Sequence, residues 1–108
     1  EMNLQPIMYH HGASYDLNTV FEHAEAAGVY NEYYLAGISM GGAQTLKFLG
    51  EKGTDLNSKI KKAAVYSTPC NLTDSAATLS FKGNGFYRKR FLSKLKIKMQ
   101  LNYALKEH

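Results

Sequence analysis

Several residue types are scarce in this chain, and each shortage excludes a class of protein. A single cysteine, Cys70, among 108 residues excludes an internal disulfide and favours a reducing compartment, so we expect a cytoplasmic protein. No apolar run approaches the ~20 residues that a membrane-spanning helix needs. The residues from Glu1 to Pro6 contain neither the basic stretch nor the apolar core of a secretory signal. At this length we expect at most one globular domain.

Metal, phosphate and dinucleotide motifs are also missing. The sequence has no His-x-x-x-His pair and no cluster of cysteine and histidine, so we expect no metal site. Gly42 is followed by Ala43 and Gln44 instead of the Lys-Ser/Thr of a phosphate-binding loop, and no G-x-G-x-x-G is present. We therefore expect no cofactor.

What the chain does contain is a G-x-S-x-G pentapeptide, Gly37-Ile38-Ser39-Met40-Gly41, placed where an apolar run ends and a helix-like run begins. A serine on such a strand-to-helix turn has a strained backbone and an exposed hydroxyl, which is the nucleophile elbow of α/β-hydrolases. We expect a Cβ atom at Gly37 or Gly41 to collide with the neighbouring strand or helix. The alternative is an ordinary glycine-rich turn between a strand and a helix.

The residue after the nucleophile donates its N–H to the oxyanion at such an elbow, and here that residue is Met40. A helix beginning just after Ser39 would also direct its free N–H groups and the positive end of its dipole at the reaction centre. The motif therefore predicts Ser39 as the nucleophile and the Met40 N–H as one donor of an oxyanion hole.

Hydrophobic periodicity and turn residues predict alternating helices and strands. Ser14 or Asp16 could cap the first helix, Gly50 is a natural C-cap for the second, and Thr73 could cap a third. A strand, a helix and a strand in that order form a βαβ crossover, which implies parallel pairing and an α/β fold. The predicted elements are a helix over 13–27, a strand over 33–38, the elbow and a helix over 39–49, a strand over 62–67, and a cap-like helical region over 73–108.

Residues 94–103 carry two conflicting patterns. Polar and apolar residues alternate strictly there, which is typical of a half-exposed strand. The same region offers apolar residues at near-helical spacing, and its leucine, lysine, methionine and glutamine are good helix formers. We favour a helix, on the spacing of Phe91, Leu92, Leu95, Met99 and Tyr103.

Two strands are too few to form a sheet that buries the helices of a βαβ unit, because sheets usually hold about four to six strands. We therefore expect either that the chain is part of a larger domain or that its open sheet edges pair with a second copy. As an isolated chain it is expected to form a homo-oligomer, with a homodimer as the simplest case.

Four blocks of the sequence, in order and spacing, resemble the YheT-type α/β-hydrolases, a grouping that also contains the ABHD-like esterases. The basic segment 87–98 resembles the region that follows the second strand in that family, so the likeness covers nearly the whole chain. The blocks are Tyr9-His10-His11-Gly12 with Asp16-Leu17, Gly37-Ile38-Ser39-Met40-Gly41-Gly42, Leu46-Lys47-Phe48-Leu49-Gly50-Glu51 and Ser67-Thr68-Pro69-Cys70-Asn71-Leu72.

The resemblance implies a partial α/β-hydrolase fold, as a single domain over residues 1–108. It also implies a serine hydrolase that acts on carboxylic esters with short- to medium-chain or lipid-like acyl groups. Ser39 is then the nucleophile that forms the acyl-enzyme, within an elbow bounded by Gly37 and Gly41, and Met40 contributes to the oxyanion hole. The expected partner is a small-molecule or lipid ester.

The acid and the histidine of the triad follow the serine in α/β-hydrolases, and here His108 is the only later histidine. Asp74 comes one strand too early for the triad acid. His10 and His11 lie in a block that the resemblance makes structural, and we place His23 on the solvent side of its helix. The chain is therefore expected to be the middle of a hydrolase and to be inactive, or nearly so, alone, since a serine hydroxyl without a base is a poor nucleophile.

The net charge of +4 is concentrated in the basic run from Arg88 to Lys98. The simplest interpretation of this run is a solvated face of a cap segment. The second is contact with a membrane surface, and nucleic-acid binding comes last, because packing explains the neighbouring aromatic residues better, so we expect no nucleic-acid partner. The rival to the esterase is a non-catalytic βαβ interaction or assembly module whose basic surface contacts a partner or a membrane.

Overall fold

The computed structural model describes residues 9–104, and within them four helices and two strands are present. Two short 3-10 turns, Gly53–Asp55 and Lys82–Asn84, complete the order. None of the described helices is both long enough and apolar enough to cross a membrane. The elements are α1 (Ser14–Ala26), β1 (Tyr33–Ile38), α2 (Met40–Lys52), β2 (Ile60–Tyr66), α3 (Leu72–Ser80) and α4 (Gly85–Ala104).

The chain divides into two compact units, and the first, Tyr9–Cys70, contains both strands. β1 and β2 pair in parallel, from Tyr33 opposite Ile60 to Ile38 opposite Tyr66, with α2 between them in the sequence. This arrangement confirms the α/β class and the predicted parallel βαβ unit. The hydrolase fold and the single domain over 1–108 stay predictions.

The core of this unit is small. Its buried side chains are Phe21 of α1, Phe48 of α2 and Ile60 of β2. β1 alternates between the two faces of the sheet, so that Tyr33 and Leu35 pack against this cluster while Tyr34 and Ala36 are exposed. The rings of Phe21 and Tyr33 meet edge to face with their centroids 5.2 Å apart. This packing of helix against strand gives β1 a defined inner face, which ends at the buried Gly37.

Polar side chains join α1 to the elements around it. The Ser14 hydroxyl donates to Glu51 of α2 over 2.5 Å, and Lys47 forms an ion pair with the same carboxylate. At the other end of α1, Asn57 donates to both carboxylate oxygens of Glu25 at 2.8 and 2.9 Å.

Three predicted helix caps are wrong. Ala13 is the N-cap of α1 and its methyl side chain cannot cap, while Ser14 lies inside the helix and donates its hydroxyl to Glu51. α2 continues past Gly50 to Lys52 and ends at Gly53, whose φ of 49° is the left-handed conformation that glycine tolerates. α3 begins at Leu72, capped by the Asn71 side chain.

The second unit is described over residues 71–104 and consists of α3, a 3-10 turn and α4. The structure has a helix through 94–103, as the spacing of the apolar residues predicts. The Asn84 side chain donates to the carbonyl oxygen of Thr78, and the Arg88 guanidinium donates to that of Ser80. These two hydrogen bonds join the turn and α4 to α3. None of the described side chains from 71 to 101 is buried. The predicted roles of Glu1 to Pro6 and of His108 lie outside the described residues.

Candidate active site

Ser39 is the single residue between the end of β1 and the start of α2, and its backbone is strained. Its φ of 53° and ψ of −120° fall in a region that residues with a side chain rarely occupy. Such a conformation costs of the order of 1–3 kcal/mol and persists only where the surroundings impose it. The surroundings here are two strands and a helix, so we infer that the turn is held in place from several sides.

Backbone hydrogen bonds on both sides of Ser39 hold the strained turn. Its N–H donates to the carbonyl oxygen of Tyr66, the last residue of β2, at 2.9 Å. Its own carbonyl oxygen accepts from Gly42 at 3.0 Å and from Ala43 at 3.2 Å, which starts α2. Ser39 is therefore attached both to the neighbouring strand and to the first turn of the helix.

The Ser39 side chain is exposed and does not cap α2, although serine is a favoured N-cap residue. A capping serine turns its oxygen toward the first N–H groups of the helix, where it would be consumed in a structural hydrogen bond. Here the hydroxyl is left available to a ligand.

Met40 is the first residue of α2, so no preceding turn of the helix offers a carbonyl to its N–H group. The first turn of α2 also contains no acidic residue that would offset the positive end of the helix dipole. An anion forming next to Ser39 would meet the Met40 N–H, which has no partner within α2, and a favourable field. This geometry suits the predicted oxyanion role of Met40.

Gly37 is required by the close approach of β1 to α2, as the sequence predicts. A Cβ atom built on Gly37 would lie 2.6 Å from the Gly41 carbonyl oxygen and 2.7 Å from the Gly42 Cα. Both are backbone atoms that cannot rotate away. No residue with a side chain fits here without moving the start of α2.

The predicted collision at Gly41 is wrong, since a Cβ atom built there meets nothing within 4 Å. The steric requirement falls on Gly42 instead. Its Cβ would overlap the hydroxyl of Thr68 and lie 3.1 Å from the Thr68 Cβ. Helical geometry turns Gly42, not Gly41, toward the segment after β2, and a contact between segments so distant in sequence leaves no local pattern. The second glycine of the Gly41-Gly42 pair was the available signal.

The segment after β2 resembles the elbow in its backbone. Ser67 has a φ of 51° and, with Ser39, is one of the two residues other than glycine with positive φ in the described part of the chain. The next residue, Thr68, has a buried hydroxyl without a hydrogen-bond partner among the described residues. Sequence reasoning missed both Ser67 and Thr68. They lie at the carboxyl edge of the sheet, directly after Tyr66, the residue of β2 that accepts the Ser39 N–H.

Among the described histidines, His10 makes hydrogen bonds within the first unit. The Nδ1 atom of His10 accepts from the Gly12 N–H at 3.0 Å, which leaves the proton of a neutral imidazole on Nε2. The His10 carbonyl oxygen accepts from Gln44 at 3.0 Å, so this segment is attached to α2. His23 is exposed in the last turn of α1. Neither of these His10 hydrogen bonds involves Ser39.

Two carboxylates with lowered pKa values lie between the elements of the first unit. Hydrogen bonds from Asn57 and Lys59 lower the pKa of Glu25 below its usual value. Lys47, and then Ser14, lower the pKa of Glu51 in the same direction. Both groups are therefore ionised at neutral pH and serve to join α1 to α2 and to the segment before β2.

Two further side chains capable of chemistry, those of Cys70 and Asp74, follow β2 in the sequence. The Cys70 thiol is exposed after β2, and Asp74 lies in the first turn of α3, where the sequence places it. In the described part of the chain no three side chains of histidine, cysteine, aspartate and glutamate come together as metal ligands would.

Comparisons with family models, with curated proteins and with solved structures find no match to this chain. The geometry around Ser39 is therefore the observation from which a function can be inferred.

Proposed function

We propose that Ser39 is the acyl-forming nucleophile of a cytoplasmic serine hydrolase with the α/β-hydrolase fold, of the YheT type. Its substrates would be carboxylic esters with short- to medium-chain or lipid-like acyl groups. The observation that carries this proposal is the positive φ of an exposed, non-capping serine between a parallel strand and a helix. A strained serine in that place is the feature by which a nucleophile elbow is recognised.

The chemistry follows from the groups present. The Ser39 oxygen attacks the ester carbonyl carbon, and the electron pair of the C=O bond moves onto the carbonyl oxygen. The Met40 N–H at the start of α2 would stabilise that oxyanion. The tetrahedral intermediate then expels the alcohol, which leaves with the proton of the serine hydroxyl, and water later cleaves the acyl-enzyme.

A base has to carry that proton, because a serine hydroxyl alone is a poor nucleophile at neutral pH. The hydrogen bonds of His10 do not involve Ser39, and the triad histidine expected from the resemblance follows the serine in the chain, so we expect added imidazole to accelerate acylation of Ser39. Imidazole has the proton affinity of a histidine side chain and is small enough to reach an exposed hydroxyl.

The first prediction tests the nucleophile by fluorophosphonate labelling with added imidazole, read by intact mass. We expect one adduct that disappears in Ser39→Ala. Ser67→Ala is the matched control, because Ser67 is also exposed, at positive φ and at the end of a strand. Ser39 should react at least about 100-fold faster than Ser67, since one oxyanion donor contributes about 100- to 1000-fold.

An adduct that persists in Ser39→Ala would contradict the proposal. So would the absence of an adduct on a chain whose circular dichroism shows that it is folded. Either result would favour the second candidate, a βαβ interaction or assembly module, for which the basic helix α4 with its exposed apolar side chains is the supporting observation.

The open edges of the two-stranded sheet favour self-association of the chain. In the described residues the sheet has two strands, so each strand has an open edge that a second copy could pair with. We therefore propose that the isolated chain is a homo-oligomer.

A further inference from the structure

Helix α4 carries charge of one sign only. Its residues include six lysines and arginines and neither aspartate nor glutamate. No described residue of the second unit up to position 101 is buried, so this charge stands beside apolar side chains that also face water. The cations are Arg88, Lys89, Arg90, Lys94, Lys96 and Lys98.

From Phe91 onward one side of α4 carries a row of apolar side chains, and Arg88 lies on the same side one turn earlier. Phe91, Leu95 and Met99 follow each other at intervals of four residues, and such residues lie on one face of a helix. Leu92 lies beside them, and these four residues are called the Phe91 stripe below. Its members are 45% to 59% exposed, which is more apolar surface than single scattered residues account for.

Cations border the Phe91 stripe on both sides. By helical geometry Lys94 and Lys98 lie along one border, and Lys89 and Lys96 lie along the other. On the second border a shallow groove is lined by Arg88, Lys89 and Lys96 together with Leu92 of the stripe. Lysine and arginine can keep their charged ends in the polar layer while their stems lie along apolar surface.

We propose that α4 docks in the plane of an anionic phospholipid surface. The Phe91 stripe would enter the boundary between headgroups and acyl chains, and the bordering cations would contact lipid phosphates. A basic helix with phenylalanine and leucine on its buried side is typical of such binding. The proposal does not depend on Ser39 being a nucleophile.

The charge of α4 favours an anionic bilayer over two other partners, a second copy of α4 and a nucleic acid. A second copy of α4 would bring six cations against six, which is repulsive. A nucleic acid would satisfy the cations and could stack on Phe91, but it would leave Leu95 and Met99 in water. An anionic bilayer satisfies the cations and the apolar stripe together.

The helix also has apolar residues on its opposite side, Phe86, Ile97 and Leu101, with Arg90 among them. On this side of the helix, residues 86, 90, 94, 97 and 101 follow each other at intervals of three or four. Two of these positions are the cations Arg90 and Lys94, so the apolar row is interrupted between Phe86 and Ile97. The proposal therefore commits to one side of the helix, and that choice can be tested.

The chain has no tryptophan, so a single introduced tryptophan reports its own surroundings. Leu95→Trp places the reporter in the Phe91 stripe, and Ile97→Trp places it on the opposite side of the same turn. Both positions are about half exposed, so the larger side chain should be tolerated. We expect vesicles of phosphatidylglycerol and phosphatidylcholine to shift the emission of Leu95→Trp to shorter wavelength. Brominated lipids should quench it several-fold more than Ile97→Trp.

The second arm of the experiment tests the charge. We expect the double variant Lys94→Glu and Lys98→Glu to bind these vesicles at least about 30-fold more weakly, since each cation near an anionic surface contributes about fivefold. The matched control is Lys61→Glu and Lys62→Glu on β2, which makes the same charge change in the other unit and should alter binding less than about threefold. Circular dichroism confirms that each variant is folded.

Four outcomes would overturn the proposal. The first is equal binding to vesicles of phosphatidylcholine alone, and the second is equal loss of binding in the two charge variants. The third is equal quenching of the two tryptophan reporters. The fourth is no response to vesicles together with binding of mixed-sequence single-stranded DNA, which would identify a nucleic-acid surface instead.

Discussion

At the scale of single residues, the turn at Ser39 depends on what its neighbours lack. Gly37 and Gly42 have no Cβ, and the atoms that would meet one belong to the start of α2 and to Thr68. Ser39 keeps its unfavourable φ because its N–H is bonded to Tyr66 and its carbonyl oxygen to α2. The exposed hydroxyl is thus a consequence of the way that strand and helix are joined.

Substitution of glycine by alanine should change the stability differently at each of three positions around the turn. Gly37→Ala should destabilise most, by about 3 kcal/mol or more, because a Cβ there meets immovable backbone. Gly42→Ala should cost about 1–2 kcal/mol, because Thr68 can give way in part. Gly41→Ala should be neutral or stabilise by up to about 1 kcal/mol, since alanine favours a helix. Urea denaturation followed by circular dichroism measures all three.

Thr68→Ala supplies the control for Gly42. It removes the hydroxyl that the new Cβ would overlap but leaves the Thr68 Cβ at 3.1 Å, so it should restore part of the stability lost in Gly42→Ala. The contact between Gly42 and Thr68 is contradicted if the stability losses of Gly42→Ala and Thr68→Ala are additive in the double variant. It is also contradicted if Gly41→Ala costs as much stability as Gly42→Ala.

At the scale of elements, carboxylates hold α1 in place. Glu51 joins α2 to α1 through Ser14, and Glu25 joins the end of α1 to Asn57 before β2. Both side chains accept from donors that favour the ionised form, which is why their pKa values are lowered. These bonds act between elements and add to the apolar contacts of the core.

Acid should therefore weaken the first unit in a defined direction. Because folding lowers these two pKa values, the unfolded chain binds more protons below the ordinary value of 4.5. The stability that the carboxylates contribute is present above about pH 4.5 and is lost as the pH falls through the lowered pKa values. We expect the melting temperature to drop over that range and the drop to be smaller in Glu25→Gln with Glu51→Gln.

Asn57→Ala is an independent variant for the same prediction. It removes the largest cause of the lowered pKa of Glu25 without removing the carboxylate, so it should also reduce the acid sensitivity. An unchanged slope of melting temperature against pH in both variants would show that other groups govern the acid transition.

α4 shows how one element resolves two conflicting patterns. Strict alternation over 94–103 is typical of a strand, yet a strand needs a partner for its backbone groups, and a helix satisfies them internally. Good helix formers occupy most of these positions, and the structure has a helix there. The alternation then places lysines on both borders of the Phe91 stripe.

At the scale of the whole molecule, the described core is small for the number of elements around it. Phe21, Phe48 and Ile60 are its buried apolar members, and Phe48 is only 3% exposed. A domain gains most of its stability from such burial, and the net stability of a domain is only about 5–15 kcal/mol. Truncation of one large side chain in this core should therefore destabilise the whole first unit.

Phe48→Ala should cost about 3–5 kcal/mol, which is a large part of the stability that a small unit can have. Leu46→Ala is the matched control, because Leu46 lies on the same helix but is exposed, and it should cost less than about 1 kcal/mol. Denaturant unfolding of the two variants compares them. Equal losses would mean that the cluster around Phe48 is not the core of this unit.

The sequence by itself determined the α/β class, the bounds of β1, the place of Ser39 and the helix over 94–103. These depend on periodicity and on local turn chemistry, which residues near one another in the chain decide. Only the tertiary structure decided that Gly42 rather than Gly41 is sterically required, that Ser67 shares the strained backbone, and that Ser14 bonds to Glu51 instead of capping α1. The reason is that each depends on atoms from distant segments, which meet only when the sheet and helices are packed.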